Sequence, residues 1–570
     1  MKVLLRDYLA SLRERTELDV ILPDLLSEKG FEVFARPQVG TVQHGVDIGA
    51  VGLDQNGVRS VFLLSVKRGD LTLSEWDGAA NQALRPSLNQ ILDAYPSRLP
   101  PEYAALPIII CLCFGGEIAD NVRTSVKGYI EDNTRPGRRF EIWNGDKIAG
   151  LLLDGLLRED IFPKALRSDL RKALAMLDEP AVAYDHYARL ADRLALNAKT
   201  SSSAAVTAAR QLNIANWMIY VWARDLENLE AAYRTSELGV LHAWELLKPT
   251  IEAKGKDKEA LDRSLMQMIN LHLSVARDLL KDKIAPASRS RDALASAVRT
   301  RTSTDINLAL FDIVGRAGMA SLWMHWLGQR TDWAATGQDF NEDCRLYADL
   351  AMDIVESNGC LGLPIADQQA IDVALVLLAA LGSEQNPDRI SDWIETMVDR
   401  LVFAMRMRRL YPGAGSDYRD WIDPPSDDER FRRATVGSTL IPLLAAWASA
   451  LSLPRARARL AALRRDILAH TTMQMWLPDA DSETHHYLDS EEHGHALLDL
   501  PIEAKGAALL ETIREACDSH PELDGMSAMR TNCWPIVLLA SRHWRRPMPP
   551  QFYIGSMAPA DEGGAPSSAG

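Results

Sequence analysis

The chain is predicted to fold as an α/β domain, a mixed sheet flanked by helices, followed by a large all-α region. Three observations predict this. In the first 162 residues, short apolar runs alternate with stretches of helical periodicity in the order α-β-β-β-α-β-α-β-α. The dipeptide Asn56-Gly57 stands between two of those runs and marks a hairpin. From Phe162 onward strand signals nearly vanish, and apolar residues recur at helical spacing.

The elements follow in order. Leu4, Leu5, Tyr8, Leu9, Leu12, Leu18, Ile21, Leu22, Leu25 and Leu26 have helical spacing, interrupted softly at Pro23 and closed by Gly30. Phe31–Phe34 alternates as a strand, and Val46–Leu53 and Val61–Val66 form the arms of the predicted hairpin. Ser74–Tyr95 reads as a helix kinked at Pro86. Leu106–Phe114, a continuous Ile-rich run, reads as a fully buried central strand. Gly115-Gly116 then turns into a helix from about Glu117 to Glu131. Phe140–Trp143 is a last strand, and Asn144-Gly145-Asp146 caps a final helix to about Leu157.

The predicted organisation is therefore an α/β domain over 1–162, a helical region over 163–555 and a flexible Ala/Gly/Ser/Pro-rich tail over 556–570. The helical region is a candidate for two subdomains, with a break near 285–300 or 410–430. Tyr411–Asp428, with Pro412-Gly413 and Pro424-Pro425, reads as a long polar loop and a candidate mobile element. Twelve of the 14 tryptophans lie between Trp217 and Trp544, spaced among Leu and Ala as packing anchors rather than base-stacking platforms.

Composition narrows the classes. Apolar residues make up 47% and charged residues 25%, which is ordinary globular usage. The formal charge of −15 does not advertise a nucleic-acid binder. Residues 1–164 carry 19 Lys+Arg against 23 Asp+Glu, so this segment is closer to neutral, with a local basic cluster at Arg135, Arg138 and Arg139. Six scattered cysteines with no CxxC pair argue against a zinc ribbon and fit a reducing compartment. Arg6 and Asp7 end the first apolar run at once, and Leu440–Leu453 is too short to span a bilayer. A cytoplasmic protein without membrane contact is expected.

The most informative chemistry lies in Gly45-Val46-Asp47-Ile48-Gly49 and Leu64-Ser65-Val66-Lys67-Arg68. If Asn56-Gly57 joins the two runs as a hairpin, Asp47 and Lys67 meet near one end of the sheet. A carboxylate there suits Mg²⁺ or Mn²⁺, hard cations that prefer oxygen. Such a cation polarises a phosphate and acidifies bound water, and a lysine beside it orients that water and offsets developing charge. The Val66 carbonyl offers another oxygen.

This arrangement resembles the PD-(D/E)xK, or restriction-endonuclease-like, nuclease superfamily, with Mrr-like and related defence nucleases as the nearest look-alikes. The resemblance covers roughly residues 5–160. It implies that Asp47 binds metal, that Lys67 assists catalysis and that Glu17, on the first helix, joins the metal shell. It implies a metal-dependent DNA endonuclease, with RNA as a second substrate option, acting as the effector of a prokaryotic antiphage system. A homo-oligomer or a defence partner protein is the expected company. Gln82 or Gln90, on the helix after the motif, matches a polar site position of some relatives. Arg68, Arg135, Arg138 and Arg139 are the candidate nucleic-acid contacts. Ser65 departs from the pattern, standing where a second carboxylate or a glutamine is usual. Either Glu17, Asp70 or Glu75 compensates, or the site is inactive and the fold is a scaffold that binds nucleic acid or a partner protein.

A second cluster, His485, His486, His493 and His495 with Asp489, Glu491 and Glu492, has zinc-binding residue types but no HExxH. It reads as a polar surface loop with incidental histidines, in preference to a metal site or a pH-sensitive loop. No GxxxxGK[ST], GxGxxG or GxSxG is present.

Overall fold

In the computed structural model the amino-terminal part is built on a five-stranded sheet in the order β1-β2-β3-β4-β5. The structure describes Arg6, Leu9 and residues 18–36, 44–78, 83–154, 164–298, 300, 302–330, 339–383, 385–414, 418–423 and 427–557. The chain divides into two compact units, Met1–Val275 and Ala276–Gly570.

The first unit runs α1 (Asp19–Glu28), β1 (Glu32–Ala35), β2 (Ile48–Leu53), β3 (Arg59–Lys67), α2 (Leu73–Asp77), α3 (Leu84–Ala94), β4 (Ile108–Phe114), α4 (Asp120–Asn133), β5 (Arg138–Trp143) and α5 (Gly145–Asp154). The first three strands are antiparallel neighbours, and β3, β4 and β5 are parallel. Parallel strands need a crossover, and the α2–α3 and α4 segments supply the two. Val61, Leu63, Ile110, Leu112 and Phe114 from the central strands pack with Trp76, Leu84, Leu88, Ile91, Val122 and Val126 from those crossovers. β4 is buried along nearly its whole length, as its continuous apolar run requires.

The hairpin forms where Asn56-Gly57 places it, with Ile48 opposite Leu64 and Leu53 opposite Arg59. Asp54 closes the turn: its Oδ1 accepts from the Asn56 and Val58 amides, each at 2.8 Å. The expected helix over 74–95 is instead two. α2 stops at Gly78, and Pro86 falls in the first turn of α3, where amides have no intrahelical partner to lose. Pro86 therefore helps to start a helix rather than kinking one. Pro23, by contrast, lies inside α1, which runs through it.

α6 (Lys164–Ala175), α7 (Pro180–Ala198), α8 (Ser202–Asp225), α9 (Glu230–Leu247) and α10 (Lys256–Arg277) follow. α6, α7, α8 and α9 pack on one another, and α8 is buried almost from end to end.

The second unit is mostly helical. Its longest helix, α11 (Ser303–Gly328), packs against α12 (Phe340–Ser357) and α13 (Ala370–Gly382). α14 (Pro387–Met407) follows, and Tyr418–Ile422, inside the expected polar loop, is a short helix. The apolar run after Leu440 makes two helices, α15 (Leu440–Ala450) and α16 (Pro454–Asp466), because Pro454 starts a new first turn rather than continuing the old one. α17 (Gly506–Ser519) and α18 (Pro535–His543) complete the larger helices. Short strands pair as Gly437–Ser438 with Thr472–Met473, and as Met475–Leu477 with His495–Leu497.

The histidine cluster is a correction to the surface-loop expectation. His486 is fully buried, stacks on Trp476 with ring centroids 5.1 Å apart, and its Nε2 donates to the Val537 carbonyl at 2.9 Å. Burial pushes its pKa down to about 3, and that of His493, also against Trp476, to about 4. Among the described residues no group of three or more His, Cys, Asp or Glu is placed to hold a metal ion, and no helix is long and apolar enough to cross a membrane.

Candidate active site

Asp47 lies in the bend that leads into β2, and Lys67 is the last residue of β3. The Asp47 amide donates to the Leu64 carbonyl at 2.9 Å. Its Oδ2 accepts from the Val66 amide at 2.7 Å. The carboxylate is thus fastened to the β3 main chain one residue before Lys67. That anchor explains how an aspartate at a strand entrance is held in one place. It also brings the charge near β4: burial first, and the Asp47 charge second, push the Cys113 thiol well above its ordinary range.

Lys67 is only 4% exposed. Strand alternation puts Ser65 and Lys67 on the same face of β3, with Leu112 and Phe114 beside them on β4. Ser65 is 1% exposed, and its Oγ has no hydrogen-bond partner among the described residues. A buried hydroxyl without a partner costs free energy, so the position carries an unmet polar requirement.

The approach to Asp47 depends on Gly45. Its φ is +82°, and a Cβ there would lie 2.1 Å from the Ser87 carbonyl oxygen of α3. The chain passes so close to the helix that only glycine fits.

The remaining predicted residues separate into three groups. Glu17 and Gln82 lie outside the described residues. Asp70 and Glu75 are near the end of β3 but already engaged. The Asp70 Oδ1 accepts from the Glu117 amide at 2.8 Å and so holds the turn after β4, while Glu75 pairs with Arg68 at 3.6 Å. Gln90 is exposed on α3.

Of the basic residues, Arg68 alone follows directly on Lys67. Arg138 is opposite Ile108, which is opposite Val61, six residues back along β3 from Lys67. At about 3.3 Å per residue this places the Arg135–Arg139 cluster about 20 Å from the candidate site, at the other end of the sheet. Arg139 there pairs with Asp54 at 2.9 Å and Glu141 at 3.2 Å. The Arg135 and Arg138 side chains donate to the Thr134 and Asn133 carbonyls. Of the four candidate nucleic-acid contacts, Arg68 thus lies at the site end of the sheet, and Arg135, Arg138 and Arg139 lie at the hairpin-turn end.

Sequence reasoning missed a buried ionic cluster between α1 and α8, made by Asp24, Glu28 and Arg210. A signal was present: Arg210 interrupts the small and apolar run Ala208-Ala209-Arg210-Gln211-Leu212. No family model, curated protein or solved structure matches the chain.

Proposed function

We propose that the α/β domain over 1–162 is a metal-dependent phosphodiesterase of the PD-(D/E)xK type that cleaves DNA, as the effector of a prokaryotic antiphage or restriction-type system, and that the helical region after it senses a trigger or drives oligomerisation. The observation that carries this reading is the Asp47 carboxylate fastened to the Val66 amide, one residue before Lys67, at the end of an antiparallel hairpin that continues into parallel strands. Mg²⁺ is commonly held by one or two protein carboxylates, with water and substrate phosphate completing its shell. Asp47 supplies one carboxylate, and the unpartnered Ser65 hydroxyl lies on the adjoining strand. When bound, Mg²⁺ or Mn²⁺ would polarise the scissile phosphate and acidify a water. Asp47 orients that shell from a fixed bend. Lys67, held at the end of β3, offers its charge to the phosphate oxygens or directs the attacking water. Arg68, with a side chain 69% exposed, would meet the nucleic-acid backbone.

A second reading, a catalytically inactive scaffold that binds nucleic acid or a partner protein, is favoured by Ser65 standing in place of a carboxylate. Degradation of plasmid and single-stranded DNA with Mg²⁺ or Mn²⁺ separates the two. Cleavage by the wild type that disappears in both Asp47→Ala and Lys67→Ala supports the enzyme. No cleavage, together with no calorimetric Mn²⁺ binding, supports the scaffold.

A further inference from the structure

α1 stands between two parts of the first unit, touching β1 and β2 as well as α8. Its acids Asp24 and Glu28 are nearly out of solvent, with side chains 11% and 14% exposed. Arg210 of α8 reaches both. Its Nη1 donates to Glu28 Oε1 at 2.5 Å, and its Nε is 3.9 Å from Asp24 Oδ1. Thr207, about one turn earlier on α8, donates to Glu28 at 3.2 Å. Arg36, the residue after β1, lies 3.9 Å from Asp24 Oδ1. Asp24 therefore faces one cation from the sheet, Arg36, and two from the helices, Arg210 of α8 and Arg263 of α10. Gln267 of α10 also bonds Asp24, and it accepts from Asn213 of α8 at 3.4 Å.

Burying charges is a costly way to join two helices, and apolar side chains of similar volume often serve as well. What a buried ionic joint adds is register. A slip of α1 along α8 would leave two carboxylates buried without their partners. The register is passed on at once, because α1 ends at Lys29-Gly30 and the chain enters β1, whose Glu32 and Ala35 pair with Val51 and Gly49 of β2. β2 begins immediately after Asp47.

We propose that Arg210 is a positioning residue: through Glu28 and Asp24 it sets α1 on β1 and β2, and so fixes where the bend carrying Asp47 meets β3. The kinetic role rests on the phosphodiesterase reading above, while the clamp is a property of the fold. A change in how α8 is seated is thereby felt at Asp47, which gives the helical part of this unit a route to the site.

Backbone hydrogen exchange on the full chain, read beside Mg²⁺-dependent plasmid cleavage, tests this with Arg210→Met, Arg210→Lys and the milder Glu28→Gln, each well below its melting temperature. In Arg210→Met, residues 19–36 and 47–53 are expected to exchange about ten-fold faster, with 230–247 unchanged. The kcat falls about ten- to a hundred-fold with KM unchanged, since a small misplacement is enough to lose that much. Arg210→Lys, which keeps the charge but not the planar fork, recovers part of both effects. Unchanged exchange over 47–53, or a kcat loss that lysine does not relieve at all, overturns the proposal. If Arg210→Met does not fold, exchange over 47–53 in Glu28→Gln decides. A wild type that neither cleaves nor binds Mn²⁺ calorimetrically overturns the phosphodiesterase reading and the kinetic role with it, while the clamp is still decided by the exchange of 47–53.

Discussion

Gly45→Ala is the sharpest test of how the Asp47 bend is built. The glycine has φ +82°, which costs an L-residue about 1–2 kcal/mol. The new Cβ would also sit 2.1 Å from the Ser87 carbonyl oxygen and 2.8 Å from its carbon. These are backbone atoms of α3, which cannot rotate away, so the bend or the helix must move by about 1 Å, at a typical overpacking cost of about 1–3 kcal/mol. The sum is about 2–5 kcal/mol, and at about 2–4 °C per kcal/mol for a unit of this size the melting temperature should fall by about 4–20 °C. Two other glycines separate the contributions. Gly57 has φ +74° but nothing within 4 Å of its Cβ position, so Gly57→Ala isolates the conformational cost. Gly128, inside α4 and equally open, lacks the positive φ, and Gly128→Ala should stabilise by about 0.5–1 kcal/mol. Calorimetry or denaturant unfolding of the three variants orders them. Gly45→Ala costing no more than Gly57→Ala would refute the close approach of the bend to α3.

Ser65→Ala deletes a buried hydroxyl that lacks a partner, so urea midpoints should show stability unchanged or raised by up to about 1 kcal/mol; a loss above that would mean the hydroxyl is satisfied. In the second unit, His486 and His493 are neutral when folded, with pKa values of about 3 and 4 against an ordinary 6.5. The unfolded chain binds their protons first. Their penalty is therefore absent above pH 6.5 and grows as pH falls, towards 4 for His493 and 3 for His486, at about 1.4 kcal/mol per pH unit for each histidine within its window. His486→Phe should flatten that limb in pH-dependent unfolding, and an unchanged slope would contradict a buried neutral ring. Asp54 has the opposite chemistry: the Val58 amide, and after it Arg139, hold its carboxyl below the ordinary 3.8. Its contribution is present above that pH and lost as pH falls through the lower folded value, so Asp54→Asn should make the acid limb of the first unit shallower when followed by circular dichroism.

The strands of the first unit were legible because two local codes agree there: the period-two or continuous apolar runs, and the Asn56-Gly57 turn that sets which residues face one another. Once that register is accepted, Asp47 and Lys67 have to meet at one end. The Val66 amide on the Asp47 carboxylate was not legible, since it depends on a bend outside the ladder. The division of 74–95 into α2 and α3 was missed because a proline marks a kink and a first turn equally well. The distance of Arg135, Arg138 and Arg139 from Lys67 follows from β5 running parallel to β4, which no spacing within the sequence reveals. The two- and three-residue strands of the second unit are shorter than any periodicity can register. The Arg210 joint depends on which helix faces which, and only the tertiary fold determines that.

The hairpin between Asp47 and Lys67 also bears on how the chain folds. The two groups are twenty residues apart and joined by a tight turn, so their meeting requires only a small loop to close. A hairpin of this kind forms in about 1–10 μs, whereas β4 and β5 must wait for two crossovers to be laid down. The strand ends that carry Asp47 and Lys67 are therefore expected to pair before β4 covers the central strand.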